Sequence, residues 1–285
     1  MGLFGSVVMA IGCIIGSGLF GAFPVGIKLC GSGLVWALII ALARQFIMFI
    51  PNVTSGNVLP APSANYMHAA KLMGPVCGFL QVINGLLNIN TIALLATVFA
   101  TYAGQLESET DLRVFSIGAI AVFTIASLFG AGATEKLQRV VVVILLTTLS
   151  AYVVMGIPAI RPDYLSLREV ILPDAGISTL FAASAIVGGS MQGGEILMNF
   201  TEEIDNPRRN IPLAFTISTT VVALLCILIA VVTLGTYPRG ELQTLADSAR
   251  VFMGDAGAAA FIIGGACLGC LSSMNSVIMS ASRII

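Results

Sequence analysis

Ile14-Ile15-Gly16-Ser17-Gly18 sets two glycines around a serine in the middle of an apolar run. Gly188-Gly189-Ser190-Met191-Gln192-Gly193-Gly194 sets four glycines in seven residues in the middle of another. Glycine in a helix interior costs about 1 kcal/mol relative to alanine, so both stretches predict an interrupted helix. An interruption frees backbone N–H and C=O groups that lipid cannot satisfy; a polar ligand or an ion can. The N-terminus of a half-helix offers N–H groups and a positive dipole end to an anion such as a carboxylate. The C-terminus of a half-helix offers carbonyls to an ammonium group or a metal cation. A zwitterionic amino acid suits both ends. Close packing of small residues gives similar patterns without a ligand. The placement of the breaks favours a site, because they fall in the first and sixth apolar runs, corresponding positions of two five-helix halves.

Glu195 directly follows the second break and is the one acidic residue that falls inside a predicted membrane segment. An intramembrane carboxyl is either functional or a structural group bonded to a neighbouring helix. In a low dielectric it can carry a proton. Arg44, in the second run, is the other charge away from the edges of the predicted segments, and snorkelling or a local pair accounts for it. The spacing Cys267-Leu268-Gly269-Cys270 reads as small packing residues in a membrane helix. Zinc would want four ligands, and the single histidine, His68, lies in a different region. No metal site is expected.

The elements that must position these residues follow from composition. Of 285 residues, 57% are hydrophobic and 9% charged, and mean hydropathy is +1.00. Soluble domains carry roughly 25% charged residues. The charges cluster between apolar runs long enough to cross a hydrocarbon core, which takes about 20 helical residues. No run alternates strictly, so a barrel is not expected. Eight membrane segments are predicted, over 3–27, 33–51, 75–105, 113–130, 138–158, 178–200, 212–236 and 257–285. The first lacks a basic leader and is too long for a signal peptide. A net charge of −1 with no basic patch argues against nucleic acid. One histidine, no nucleophile beside a base and no phosphate loop leave an enzyme little to use. The last run reaches Ile285 with no polar tail, so further helices are expected downstream.

Three stretches resemble the amino acid–polyamine–organocation superfamily of permeases. Ile15-Gly16-Ser17-Gly18-Leu19-Phe20 is similar to its I-G-S-G-I-F. Gly193-Gly194-Glu195, followed by Glu202-Glu203-Ile204-Asp205-Asn206-Pro207-Arg208-Arg209-Asn210-Ile211-Pro212, is similar to G-F-E and then E-E-x-x-N-P-x-R-N-I-P. Ser273-Met274-Asn275-Ser276 and Ser280-Ala281-Ser282-Arg283-Ile284 resemble S-L-N-G and T-S-S-R-L of its eighth helix.

The resemblance implies an all-α integral membrane protein of LeuT-type inverted-repeat fold, with helices 1 and 6 discontinuous and a cytoplasmic N-terminus. Residues 1–158 would form the first five-helix repeat and 159–285 a partial second repeat, helices 6–8. It implies a multi-pass protein of the cell membrane that moves amino acids or related amines by alternating access, without a cofactor, coupled to H⁺, to Na⁺ or to exchange. The substrate carboxylate would meet the N–H groups of Gly16, Ser17 and Gly18, and the amine the carbonyls of Ile14, Gly189 and Gln192. Glu195 would couple proton or conformation. The bulky aromatic that many members carry at the position of Gly189 is absent. The fifth-helix lysine of proton-coupled relatives is matched near Leu145, which is apolar. Ser272 and Ser273 could instead offer hydroxyls to Na⁺ beside first-helix carbonyls, or bond back to their own helix. The alternative is a truncated, non-transporting paralogue, a gene fragment or an amino-acid sensor.

Overall fold

The computed structural model describes residues 1–16, 18–58, 64–88, 90–106, 111–127, 131–161, 163–165, 168, 171, 175–201, 203–238 and 242–281, and their regular structure is helical. The helices are α1 (Leu3–Ile14), α2 (Phe23–Cys30), α3 (Leu34–Val58), α4 (Ala64–Met73), α5 (Pro75–Asn88), α6 (Asn90–Ala103), α7 (Leu112–Ser127), α8 (Ala131–Gly156), α9 (Ile177–Val187), α10 (Pro207–Thr236), α11 (Leu245–Phe261) and α12 (Leu268–Ala281). Among the described residues, five stretches are long and apolar enough to cross a membrane: Leu3–Pro51, Pro75–Ala103, Gln138–Ala159, Pro207–Thr236 and Leu245–Ile278. Shorter apolar helices cover Leu112–Ala121 and Ile177–Val187. The chain is an all-α integral membrane protein. Helices predominate because they pair every backbone group within the segment, which lipid demands.

Leu3–Pro51 does not run straight. Gly31 adopts φ +52°, a left-handed conformation that glycine tolerates, and reverses the chain. α2 then lies antiparallel to α9: Gly26 abuts Val187, and Gly33 abuts Leu180. α3 runs parallel to the same segment, from Leu34 beside Gly26 to Gln45 beside Glu195. α1 packs on α10, and α3 packs on both α9 and α10. On the other side, α6, α7 and α12 pack together, and α8 joins α1 to α12.

Several boundaries differ from the expectation, among them that α3 runs on to Val58, α8 begins at Ala131 and α4 lies in the expected connection before residue 75. The sixth segment, expected over 178–200, is α-helical only through Val187; Gly188–Met191 and Gly194–Phe200 wind into tighter 3-10 turns. The seventh begins at Pro207, not 212, because proline at a first helical position loses no hydrogen bond. Asn206 precedes it at φ +47°, the one positive φ outside glycine among the described residues. The connection expected over 237–255 contains a helix from Leu245. Thr244 and Asp247 form a reciprocal capping box at its start. Gly254, at φ +67° and ψ −178°, then breaks it before the eighth segment.

The core clusters on both sides of the breaks. One cluster includes Ile14, Ile15, Leu19, Phe20, Val187 and Met191. A second joins Met9, Phe49, Leu197, Phe200 and Phe215, with the Phe49 and Phe215 rings stacked 3.3 Å apart.

Candidate functional site

The first break sits where α1 ends. Ile15 is extended (φ −81°, ψ 96°), and helical structure resumes as a wide π-type turn over Gly18–Ala22. Gly16 and Gly18 flank it; Ser17 lies outside the described residues. An N–H at the start of a resumed helix has no preceding helical carbonyl to bond, which is the feature that suits an anion. Of the carbonyls nearby, that of Gly16 accepts from Phe20 N–H at 3.2 Å.

The second break faces the first. Gly193 has φ +123°, and a Cβ there would lie 3.0 Å from both the backbone carbon and the Sγ of Cys13. Glycine is therefore required twice over, by conformation and by space. Gly189 and Gln192 are exposed, and a Cβ at Gly189 would meet nothing within 4 Å. Gln192 turns out of the helix at ψ 154°. The site residues Ile14, Gly16, Gly18, Gly189 and Gln192 thus belong to two breaks that the antiparallel packing of segments one and six sets side by side. Ile14 itself is buried in the core.

Glu195 is half-buried beside the second break. Its Oε2 accepts the Gly193 N–H at 2.8 Å, and its Oε1 accepts the amide N–H of buried Gln45. The carboxylate therefore bonds the broken backbone of its own segment and the second segment together. Arg44 packs on the sixth segment. Its guanidinium lies over Gly188, so closely that a Cβ at Gly188 would overlap it. Its Nε is buried with no hydrogen-bond partner among the described residues.

Ser272 and Ser273 reach back to the first segment, not to their own helix. Ser273 Oγ lies 3.0 Å from Gly12 O, 3.0 Å from Cys13 O and 3.1 Å from Ile15 O. Ser272 Oγ lies 3.0 Å from Gly12 O. Three carbonyls and two hydroxyls make an all-oxygen donor set of the kind a hard cation takes. A Cβ at Gly16 would overlap Ser273 Oγ, so glycine lets α12 approach the break.

One member of this cluster escaped the sequence reading. Gln138, at the start of the fifth apolar run, is buried and donates from Nε2 to Ser272 Oγ at 2.7 Å and Ser276 Oγ at 3.2 Å. Its Oε1 accepts from Asn275 Nδ2 at 3.2 Å. Leu145, matched to the fifth-helix lysine, is fully buried and packs on Gly269 instead. The polar group that meets the serines thus lies two turns earlier, and the spacing 138, 142, 145 keeps it on the same helix face. Gln138 stands seven residues before Leu145 and carries no charge to mark it.

The amino acid permease family model matches residues 1–285. The chain belongs to that family. The permease is 27% identical over 298 residues to an uncharacterized protein of Methanocaldococcus jannaschii, covering 100% of this chain and 67% of that one. It is 24% identical over 311 residues to the methylthioribose transporter of Bacillus subtilis, covering 99% and 65%. It is 24% identical over 308 residues to an inner membrane transport protein of Escherichia coli, covering 100% and 68%. The chain therefore spans about two thirds of the length of the curated relatives it matches, and as a permease it is a multi-pass membrane protein.

Proposed function

We propose that the permease is a secondary active transporter that moves amino acids or related amines by alternating access. The observation that carries this reading is the face-to-face placement of two broken helices, Cys13 against Gly193, at mid-segment. Glycines at both breaks allow close packing, at Gly16 and Gly193, and together the breaks frame a polar patch within two apolar cores. The substrate carboxylate meets the amides of Gly16, Ser17 and Gly18. Its amine meets carbonyls of Ile14, Gly189 and Gln192. Segments one, two, six and seven pack on one another, as do three, four and eight; the first group rocks against the second, and the repeats 1–158 and 159–285 supply both. The test is saturable uptake of labelled amino acids into proteoliposomes, and its absence from a full-length version removes the reading.

Coupling runs through Glu195 or through the serines. For a Na⁺-coupled cycle, the Ser272 and Ser273 hydroxyls keep their protons but turn them away, and the ion takes their place at the carbonyls of Gly12, Cys13 and Ile15 with the hydroxyl lone pairs facing it. Gln138 competes for Ser272, so Na⁺ entry requires its amide to turn away. Uptake that is indifferent to Na⁺ and steeper at low pH favours Glu195; a Na⁺ requirement favours the serines. The Bacillus subtilis relative is named for methylthioribose, and that sugar thioether is the second substrate class to include as a competitor.

A further inference from the structure

Tyr102, at the end of α6, uses its one hydroxyl twice. Its Oη donates to Phe20 O at 3.1 Å and accepts the Leu245 N–H at 3.2 Å. Phe20 lies in the resumed half of segment one, just past the first break. Leu245 is the first residue of α11, where an N–H has no carbonyl of its own helix to bond. A phenol can accept while it donates, and in a buried setting the two bonds reinforce each other. The Phe20 side chain is the piece this hydroxyl seats. It is fully buried, edge-on to the rings of Tyr102 at 5.6 Å and Phe261 at 6.1 Å. A Cβ at Gly269 would lie 2.9 Å from its Cε2, so α12 closes the socket from a third side. The start of α11 has other anchors. Gln105 Nε2 donates to Thr244 Oγ1 at 3.0 Å, and Ser248 Oγ lies 2.8 Å from both Tyr152 Oη and Thr236 Oγ1. These tie α11 to segments three, five and seven. Among the described residues, Tyr102 is the anchor of α11 whose hydroxyl also bonds the backbone past the first break.

We infer that Tyr102 is a positioning residue for transport, a latch that seats Phe20 and holds shut the end of the site away from Met1. The inference rests on the proposed alternating access, in which segment one rocks against segment three. The Tyr102–Phe20 bond crosses between those two groups, so it is made in one arrangement and released in the other. A net hydrogen bond of ordinary strength biases such an equilibrium by about two- to tenfold.

Two measurements on the full chain decide it. The first needs no substrate. A Cβ at Gly265 would lie 3.6 Å from the Phe20 and Phe261 rings, an ordinary contact. Gly265→Cys therefore places a thiol under Phe20 that a reagent reaches only when Phe20 lifts. In a background without the native cysteines, in nanodiscs, its modification by a charged methanethiosulfonate is expected to quicken at least about threefold in Tyr102→Phe. Tyr152→Phe also takes a hydroxyl from α11 but none from segment one, and is expected to leave the rate unchanged. No rise in Tyr102→Phe, or an equal rise in both variants, overturns the latch. The second measurement is the half-saturating concentration for amino acid uptake on each face, in right-side-out and inverted vesicles. The population of each arrangement scales the apparent affinity on its own face. Tyr102→Phe is therefore expected to lower the ratio, α11 face over opposite face, at least about threefold, a change that a mere loss of folded protein does not produce. An unchanged ratio overturns the latch. Absence of uptake on either face removes the transport reading alone, and the thiol rates still judge Tyr102.

Discussion

Gln45 donates its amide N–H to the carboxylate of Glu195, joining the second segment to the broken sixth. The other oxygen of that carboxylate holds the amide of Gly193, at the break itself. A proton added to Glu195 would remove the charge that strengthens both bonds and turn one of its oxygens into a hydroxyl donor. If Glu195 takes up a proton during transport, as proposed, the backbone at Gly193 and the packing of segment two on segment six would loosen together.

If Glu195 couples the proton, Glu195→Gln should keep uptake but flatten its pH dependence between acidic and neutral conditions. An amide cannot change charge, yet it can still accept from Gly193. Initial rates across that range check this; a wild-type profile in the variant discards the coupling role.

The Gly188 contact makes a stability prediction. Gly188→Ala places a methyl group where the Arg44 guanidinium lies; that group ends a flexible side chain and can turn aside, so the loss should stay at about 1 kcal/mol or less. Paired with Arg44→Ala, the loss should vanish, giving a coupling of about 0.5 kcal/mol in a double-mutant cycle. Thermal unfolding in detergent measures it, and additive losses would contradict the contact.

Gln138 is expected to matter although it touches neither break. Gln138→Leu leaves Ser272, Ser276 and Asn275 without their amide partner in a buried setting, a loss of about 1–3 kcal/mol. It also frees Ser272. If the serines hold Na⁺, the variant should bind Na⁺ more tightly or transport at lower Na⁺. Unfolding with and without Na⁺ reads both effects, and a Na⁺ response identical to wild type argues against the cation site.

Ser273 makes a contrasting case. Its single hydroxyl stands among three carbonyls of the first segment. Ser273→Ala takes its hydroxyl away from the carbonyls of Cys13 and Ile15, while Ser272 still reaches Gly12 O, and should lower uptake more than about tenfold, the effect of roughly 1.4 kcal/mol. Ser276→Ala, whose hydroxyl bonds back to Ser272 O within its own helix at 3.1 Å, should have a smaller effect. Equal losses would place Ser273 among ordinary packing residues.

The sequence made the membrane class legible, and with it the glycine stretches where regular α-helix stops. Each follows from local rules: apolar length, glycine cost, and the polar turns between runs. Ser272 and Ser273 were legible by their resemblance to the eighth helix of the family. What stayed hidden depends on which faces meet. Arg44 reads as a snorkelling charge until α3 is laid parallel to segment six, because only then does position 44 fall on Gly188. Gln138 reads as the polar edge of an apolar run until α8 is packed on α1 and α12. The 3-10 winding after Val187 was foreseen as a break but not as a shape, since glycines permit several.

The central claim is that the amides at Gly16–Gly18 hold a carboxylate opposite the break at Gly188–Gly193. Uptake of a labelled amino acid into proteoliposomes, with free amino acids and their methyl esters as competitors, tests it most directly. The account predicts saturable uptake that free acids suppress and esters suppress at least about tenfold more weakly, because an ester offers no anion to those amides. Esters that compete as well as the free acids would contradict it.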